Sequence, residues 1–467
     1  MAGEIKIYTG NLKYRNIEFV FVFEGRKLKL IPPKNKINEI EKWFMYEIQK
    51  GTYTFGKQVY VEGDLEGRIN ETGQKIIFIH GNPNIGLESS VLLIDVESYI
   101  IEKYDRDGIA RIGFMSSEID CIFPTSKALK DFQWEDDGTV CVTTEDFENT
   151  TSKTQKFKVN DREVTVYFTI GRTSSTKIGE PLLELHSVIY FEFEKNNDYE
   201  FIYKIWNIAK CFIQYLCYRK NISIPSIEIS TINSDGKYER FATGHILKEE
   251  LYNEPQNLSS GRYIKQEHIS GSEGKILNDI SENKIYMRHI PESFGSGRII
   301  NAARFVMITA AFEWTFNKNN PNGVPKKDKT IEAEKKAENS LEELINNSSG
   351  KLKGIYKFLK KLIKSNSLQE KIVQVGKEYD SIIGGFGRHL YKINNEELNY
   401  SEMGQRLSEQ RNNFAHGNLD KDFVGLALLD LMYLEYIIYG MQLKEYGLSD
   451  DSIRNAIKGL FKCNTTE

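Results

Sequence analysis

The period of the apolar residues changes along this chain, and that change limits the fold more than any other feature. From residue 1 to about 195 the apolar positions alternate or fall in short runs closed by Gly, Asn and Asp: Ile5 to Tyr8, Glu18 to Phe23, Val59 to Val61, Lys75 to His80, Val91 to Val96 and Val164 to Ile170. Strand side chains point to opposite faces in turn, so this half predicts antiparallel β structure. One helix interrupts it over Ile37–Ile48, where Ile40, Trp43, Phe44 and Ile48 share a face suited to packing on a sheet. A second helix is expected over 199–218 and a strand over Ile222–Ile229.

Beyond about residue 297 nothing reads as a strand. Apolar residues at three-to-four-residue spacing predict helices over 297–316, 331–346, 351–365, 368–384, 402–417, 421–444 and 449–461, and Gly384-Gly385-Phe386-Gly387 reads as a helix stop. A stretch rich in Asn, Ser and Gly, from about Asn253 to Gly274, separates the two patterns as a hinge. A chain of 467 residues is long enough for more than one core. The expected organisation is α+β and multidomain: a β-rich region over 1–195, a mixed α/β middle region and hinge over 196–290, and an α-helical bundle over 291–467.

Charge and cysteine usage narrow the function. A formal net charge of −4 argues against coating nucleic acid by bulk electrostatics, so any RNA site must be local. Five cysteines without a CxxC pair disfavour a disulfide framework or a zinc site and suit a reducing cytoplasm. No metal or cofactor is expected, because the seven histidines are scattered and no HExxH occurs. The most apolar window, Leu426 to Leu443, contains Asp430 and Glu435 and reads as a buried helix; no membrane span or signal peptide is expected.

The chemistry is carried by Glu409-Gln410-Arg411-Asn412-Asn413-Phe414-Ala415-His416-Gly417. Its Arg-x4-His spacing proves little alone, because Arg240/His245 repeats it and Arg262/His268 is one residue longer. Those two pairs lie in strand-like or loop-like sequence, whereas Arg411 is followed by polar Asn412 within the helical region. Cleaving RNA through its own 2′-hydroxyl needs a group that exchanges protons near neutrality and a cation beside the phosphate, and His and Arg supply both. Helix positions five apart differ by about 140°, so Arg411 and His416 do not share a narrow face. A cleft in which two copies meet would let both contribute. The plainer reading makes Arg411 a surface ion-pair partner and His416 the residue beside a helix end closed by Gly417.

Arg411-Asn412-x-x-Ala415-His416 in a C-terminal helical bundle resembles the HEPN superfamily of ribonucleases and toxins. The β-rich front, with Pro181-Leu182-Leu183-Glu184-Leu185-His186 and the helix through Cys217-Tyr218-Arg219, resembles the N-terminal region of ApeA-like anti-phage HEPN proteins. The resemblance implies a metal-independent endoribonuclease acting in abortive defence, with RNA, tRNA among its forms, as substrate and a homodimer or higher oligomer built through the HEPN domain. It implies that Arg411 stabilises the transition state, that His416 is general acid or base, and that Asn412 orients substrate or imidazole. An acidic residue on an earlier helix is also implied, and Glu313 is the candidate. The front region becomes a sensor or regulator for a phage-derived trigger.

Between Lys351 and Lys364 stand six lysines and no acid, alternating with apolar residues at helical spacing. Lys353, Lys357, Lys360, Lys361 and Lys364 form the best local patch for an RNA backbone, although a charge run more often marks a solvated helix face. The competing function is a non-catalytic module that dimerises or binds a nucleotide or a protein.

Overall fold

The computed structural model describes residues 6–49, 59–63, 65–79, 84–104, 108–134, 136, 138, 140–179, 181, 183–247, 261–363, 366–417, 423 and 425–465. Ile5, His80, Leu182 and Lys364, with residues 253–260 of the expected hinge, lie outside the described residues. The chain divides into two compact units, one of Met1–Gln214, Asn221–Gly261 and Glu273–Glu282, the other of Tyr215–Lys220, Arg262–Ser272 and Asn283–Glu467. The stretch 196–290 thus contributes to both units. The fold is α+β, with strands in the front part of the chain and helices behind.

In the first unit a sheet of fifteen described strands runs antiparallel throughout. Three of its hairpins turn on two residues of positive φ: Arg15-Asn16, Ser89-Ser90 and Asn160-Asp161. Such turns match the twist of the strands they join. Strand Ile17–Glu24 shows how alternation fixes its face, with Ile17, Phe19, Phe21 and Phe23 buried and their neighbours outward. Helix α1 (Ile37–Gln49) adds Ile40 and Phe44 to that core with Trp43 half-buried against it, whereas Ile48 of the expected face is exposed, near the end of the helix. Further along, strand Ile109–Phe114 lies between Leu183–Asn196 and Ser226–Ile232. Helix α2 (Ser117–Ile122) packs on Leu183–Asn196, and the residues of α3 (Tyr199–Cys217) through Gln214 belong to this unit. Helix α4 (Glu273–Ser281) packs on strand Gln155–Val159 so closely that a Cβ on Gly274 would sit 2.4 Å from the Lys156 carbonyl oxygen. Strand Tyr238–Ile246 carries both Arg240, paired with Glu228, and His245, stacked on Tyr99. That Arg-x4-His pair belongs to a sheet.

The second unit contains α5 (Ala302–Asn319), α6 (Asp328–Asn346), α7 (Gly350–Ile363), α8 (Leu368–Glu378), α9 (Gly385–Lys392), α10 (Tyr400–Ala415), α11 (Ala427–Glu445) and α12 (Asp450–Phe461). Caps set the starts: Asn301 for α5, Ser449 for α12, and a reciprocal Ser367/Glu370 capping box for α8. The helix expected over 368–384 ends instead at Glu378 and passes through a wide π-type turn, Asp380–Gly384, into α9. The glycines there do not stop a helix. They admit neighbours: a Cβ on Gly387 would lie 2.5 Å from the Tyr433 ring.

Helix α11 is buried nearly all round, including the two acids that interrupt its apolar run. Each is matched. Asp430 takes the Arg406 guanidinium and the Tyr391 hydroxyl; Glu435 takes Arg304 at 3.0 Å and the Tyr218 hydroxyl. Burial pushes the Glu435 carboxyl up while Arg304 and Tyr218 pull it back. Among the described residues no helix is long and apolar enough to cross a membrane.

Candidate active site on helix α10

Helix α10 starts at the cap Asn399, whose side chain accepts from the Ser401 and Glu402 amides. It buries Met403, Gly404, Leu407, Gln410 and Phe414, a stripe at helical spacing. Gly404 marks its closest approach to α8, since a Cβ there would stand 3.0 Å from Gln369 Cα. Phe414 packs edge-on against Phe305, with ring centroids 5.5 Å apart. The helix ends at Ala415 with His416 as its C-cap and Gly417 at φ +82°, a backbone shape that favours glycine.

Two arginines leave α10 toward different partners. Arg406 Nε is 2.7 Å from Asp430 Oδ2, and its Nη2 donates to Oδ1 at 2.9 Å. This two-point pair holds α10 on α11 and keeps the guanidinium firmly charged, chiefly through the Asp430 hydrogen bonds. Arg411 turns to Glu313 of α5, its Nη2 lying 2.8 Å from Oε2, while its Nη1 donates to Asn412 Oδ1 at 3.3 Å. The other oxygen of Glu313 faces Lys371 of α8, with Nζ 3.2 Å from Oε1. Three helices thus bring two cations to one carboxylate, leaving the cluster with a net positive charge.

Exposure separates its members. The Arg411 side chain retains 36% of its surface, against 22% for Glu313 and 11% for Lys371. A guanidinium carries five donors. With one on Glu313 and one on Asn412, Arg411 keeps donors for an incoming anion, and Lys371 offsets the charge that Glu313 would otherwise cancel.

The structure therefore brings Arg411, Asn412 and Glu313 together and adds Lys371. Asn412 and His416 are exposed. Among the described residues the His416 ring joins no hydrogen bond or ion pair, so it is not drawn into the Glu313 cluster. The basic run lies elsewhere, on α7, where Lys357 and Lys361 are exposed, Lys353 is half-buried, and Lys360 is paired with Glu342 of α6, which raises the lysine and lowers the acid. Arg262 and His268, the longer-spaced pair, lie off the regular helices; Arg262 sits over the Phe294 ring at 5.3 Å.

Lys371 has a signal in the sequence. It sits in the inward stripe Leu368, Lys371, Ile372 and Val375 of α8, where a lysine needs a partner. Among the described residues no group of three or more His, Cys, Asp or Glu side chains is arranged to hold a metal ion. No protein-family model matches the chain, and no curated protein matches it.

Proposed function

We propose that the helical unit is a metal-independent endoribonuclease of the HEPN type, acting as an anti-phage effector in the cytoplasm. The observation that carries this reading is the Arg411–Glu313 pair, in which the motif arginine meets an acid on an earlier helix while keeping open donors. In the proposed reaction the 2′-oxygen of the substrate attacks the adjacent phosphorus and the bond to the 5′-oxygen breaks. A base removes the 2′-proton and an acid delivers one to the leaving 5′-oxygen, yielding a 2′,3′-cyclic phosphate and a 5′-hydroxyl end. His416 serves as general acid or base, Arg411 takes the charge building on the non-bridging oxygens, and Asn412 orients the imidazole or the substrate. Glu313 and Lys371 set the Arg411 guanidinium.

Because Arg411 and His416 leave α10 about 140° apart, each cleft uses the arginine of one copy and the histidine of another. RNA, with tRNA as the first form to examine, is held in part by Lys353, Lys357 and Lys361. The β-rich unit receives the activating signal, a phage component being the class expected. The competing reading, a non-catalytic binding or dimerising module, draws on the same ion pair as a tie between α5, α8 and α10.

The test compares wild type with Arg411→Ala and His416→Ala in cells under phage challenge and on purified RNA, with sequencing of the RNA ends. Growth arrest and cyclic-phosphate ends from wild type alone are expected. Equal cleavage by all three proteins, or cleavage abolished by a chelator, would contradict the mechanism.

A further inference from the structure

Helix α5 carries a large aromatic side chain next to the residue that holds Arg411. Trp314 follows Glu313 in the chain and is 48% exposed. Exposure alone says little, since single apolar residues are common on protein surfaces. Its fixation and its position say more. The indole Nε1 donates to the Lys284 carbonyl at 2.9 Å, and the Tyr286 ring stands beside it with centroids 6.3 Å apart. Tryptophan has one donor, and spending it on a backbone carbonyl sets the plane of the ring.

Helical geometry relates that ring to the cation cluster. A step of one residue turns by about 100°, which carries Trp314 about 10 Å around the surface of α5 from Glu313. Ala310 and Asn317 fall between the two, about 60° and 40° from Glu313. Both have short side chains, the first half-buried and the second exposed. Ile308, Phe312 and Thr315 occupy the opposite, buried side of the helix. An open strip thus runs from the Arg411–Glu313 pair over Ala310 and Asn317 to the indole, a span that one nucleotide bridges from phosphate to base.

Charge favours an anionic strand along it. The segment 283–301, which supplies the Lys284 carbonyl and Tyr286, carries Lys284, Arg288 and Arg298, all exposed. Its one acid, Glu292, is paired with Lys220 at 2.6 Å. The segment that fixes the indole is therefore basic, as the cluster around Arg411 is, and clustered cations are what phosphates seek.

The chemistry gives such a strip a use. The 2′-oxygen must attack phosphorus opposite the leaving 5′-oxygen, and the stacked geometry of a duplex holds it to one side. The nucleotides flanking the bond must therefore unstack. A base drawn out of the stack needs a surface to lie on, and every base has a π-face that an indole matches.

We propose that Trp314 is a stacking platform for the base beside the phosphate that Arg411 receives, and that the site accordingly takes RNA unpaired at the point of cleavage. This rests on the nuclease reading of Arg411, yet it concerns binding and is measured without cleavage.

The probe is a short 2′-O-methyl oligoribonucleotide, which lacks the attacking hydroxyl and stays intact, mixed with the full chain. The single strand is expected to quench tryptophan fluorescence in wild type, and Trp314→Phe to remove most of that quenching. Carrying 5-iodouracil, the same strand is expected to cross-link to Trp314 on illumination, read by mass spectrometry. Trp314→Leu is expected to weaken binding by about tenfold or more, and Trp314→Phe by less, because a phenyl ring still stacks. A duplex of the same sequence is expected to bind weakly and leave Trp314 fluorescence unchanged. A single strand that fails to bind, or that binds without quenching or cross-linking Trp314, would overturn the proposal. So would equal binding of the duplex, or equal weakening by the Phe and Leu variants, the result that loss of the Lys284 hydrogen bond alone would give. Stacking without cleavage of ordinary RNA by any form would remove only the nuclease; cleavage abolished in Arg411→Ala yet unchanged in Trp314→Leu would remove only the platform.

Discussion

Arg406 and Arg411 stand five residues apart on α10 and differ in what surrounds their carboxylates. Asp430 is wholly buried and gives both oxygens to Arg406. Glu313 keeps 22% of its side chain in contact with solvent and divides its oxygens between Arg411 and Lys371. A sealed pair spends its hydrogen-bonding capacity on the fold, whereas an open one retains donors for a ligand. The same contrast separates the histidines: His289 is buried on the Tyr286 carbonyl at 2.7 Å, and its Nε2 has no hydrogen-bond partner among the described residues, whereas His416 is exposed.

The sharpest way to break this contrast is Asp430→Ala. It leaves the Tyr391 hydroxyl without its acceptor and Arg406 with only the exposed Glu402 carboxylate at 3.5 Å, and a loss of about 3–4 kcal/mol in urea unfolding is expected. Arg411→Ala is expected to cut RNA cleavage by about 10²–10³-fold while costing under about 1 kcal/mol of stability, since its pair is solvent-screened. A large stability loss with unchanged cleavage would invert the roles assigned to the two arginines.

Acid titration extends the comparison. The unfolded chain takes up a proton on His289 near 6.5, but burial, aided by Arg304 and Lys220, holds the folded residue to about 4. Between those values the unfolded state binds more protons. The stability contributed by neutral His289 is therefore complete above about 6.5 and is lost as pH falls toward 4, by about 3 kcal/mol in all. His289→Asn is expected to flatten that stretch of the stability–pH curve, and His416→Asn to leave it unchanged.

Smaller effects sharpen the open cluster. Lys371→Met is expected to lower stability by about 1–2 kcal/mol through the lost charged hydrogen bond. It should also reduce cleavage less than Arg411→Ala, because Glu313 would then neutralise Arg411 more fully. Lys360→Ala, at a surface pair, is expected to leave the melting temperature unchanged.

Much of this fold was legible because its period is local. Alternation through Ile17–Glu24 and helical spacing through α1, α5 and α10 each report a face that the chain must bury. Strand order was not legible. Ile109–Phe114 pairs with strands far along the chain, and such pairing depends on register that no short window contains. The break at Asp380–Gly384 was hidden because its glycines answer to the ring of Tyr433, a partner distant in sequence. In the candidate site Arg411 was singled out by the motif and its helical context, whereas Glu313 was named only because the resemblance implies an acid on an earlier helix. Lys371 was missed, because a lysine looks solvated until the stripe around it is known to be inward.

Gly404 gives the open cluster its ruler. Lys371 on α8 and Arg411 on α10 reach the same carboxylate only while those helices cross at the distance an absent methyl group permits. One added carbon at position 404 would press on the Gln369 backbone and lengthen the span between the two cations. The carboxylate would then have to choose one of them, so the electrical balance of this surface is metered by a residue that carries no charge and touches no ion.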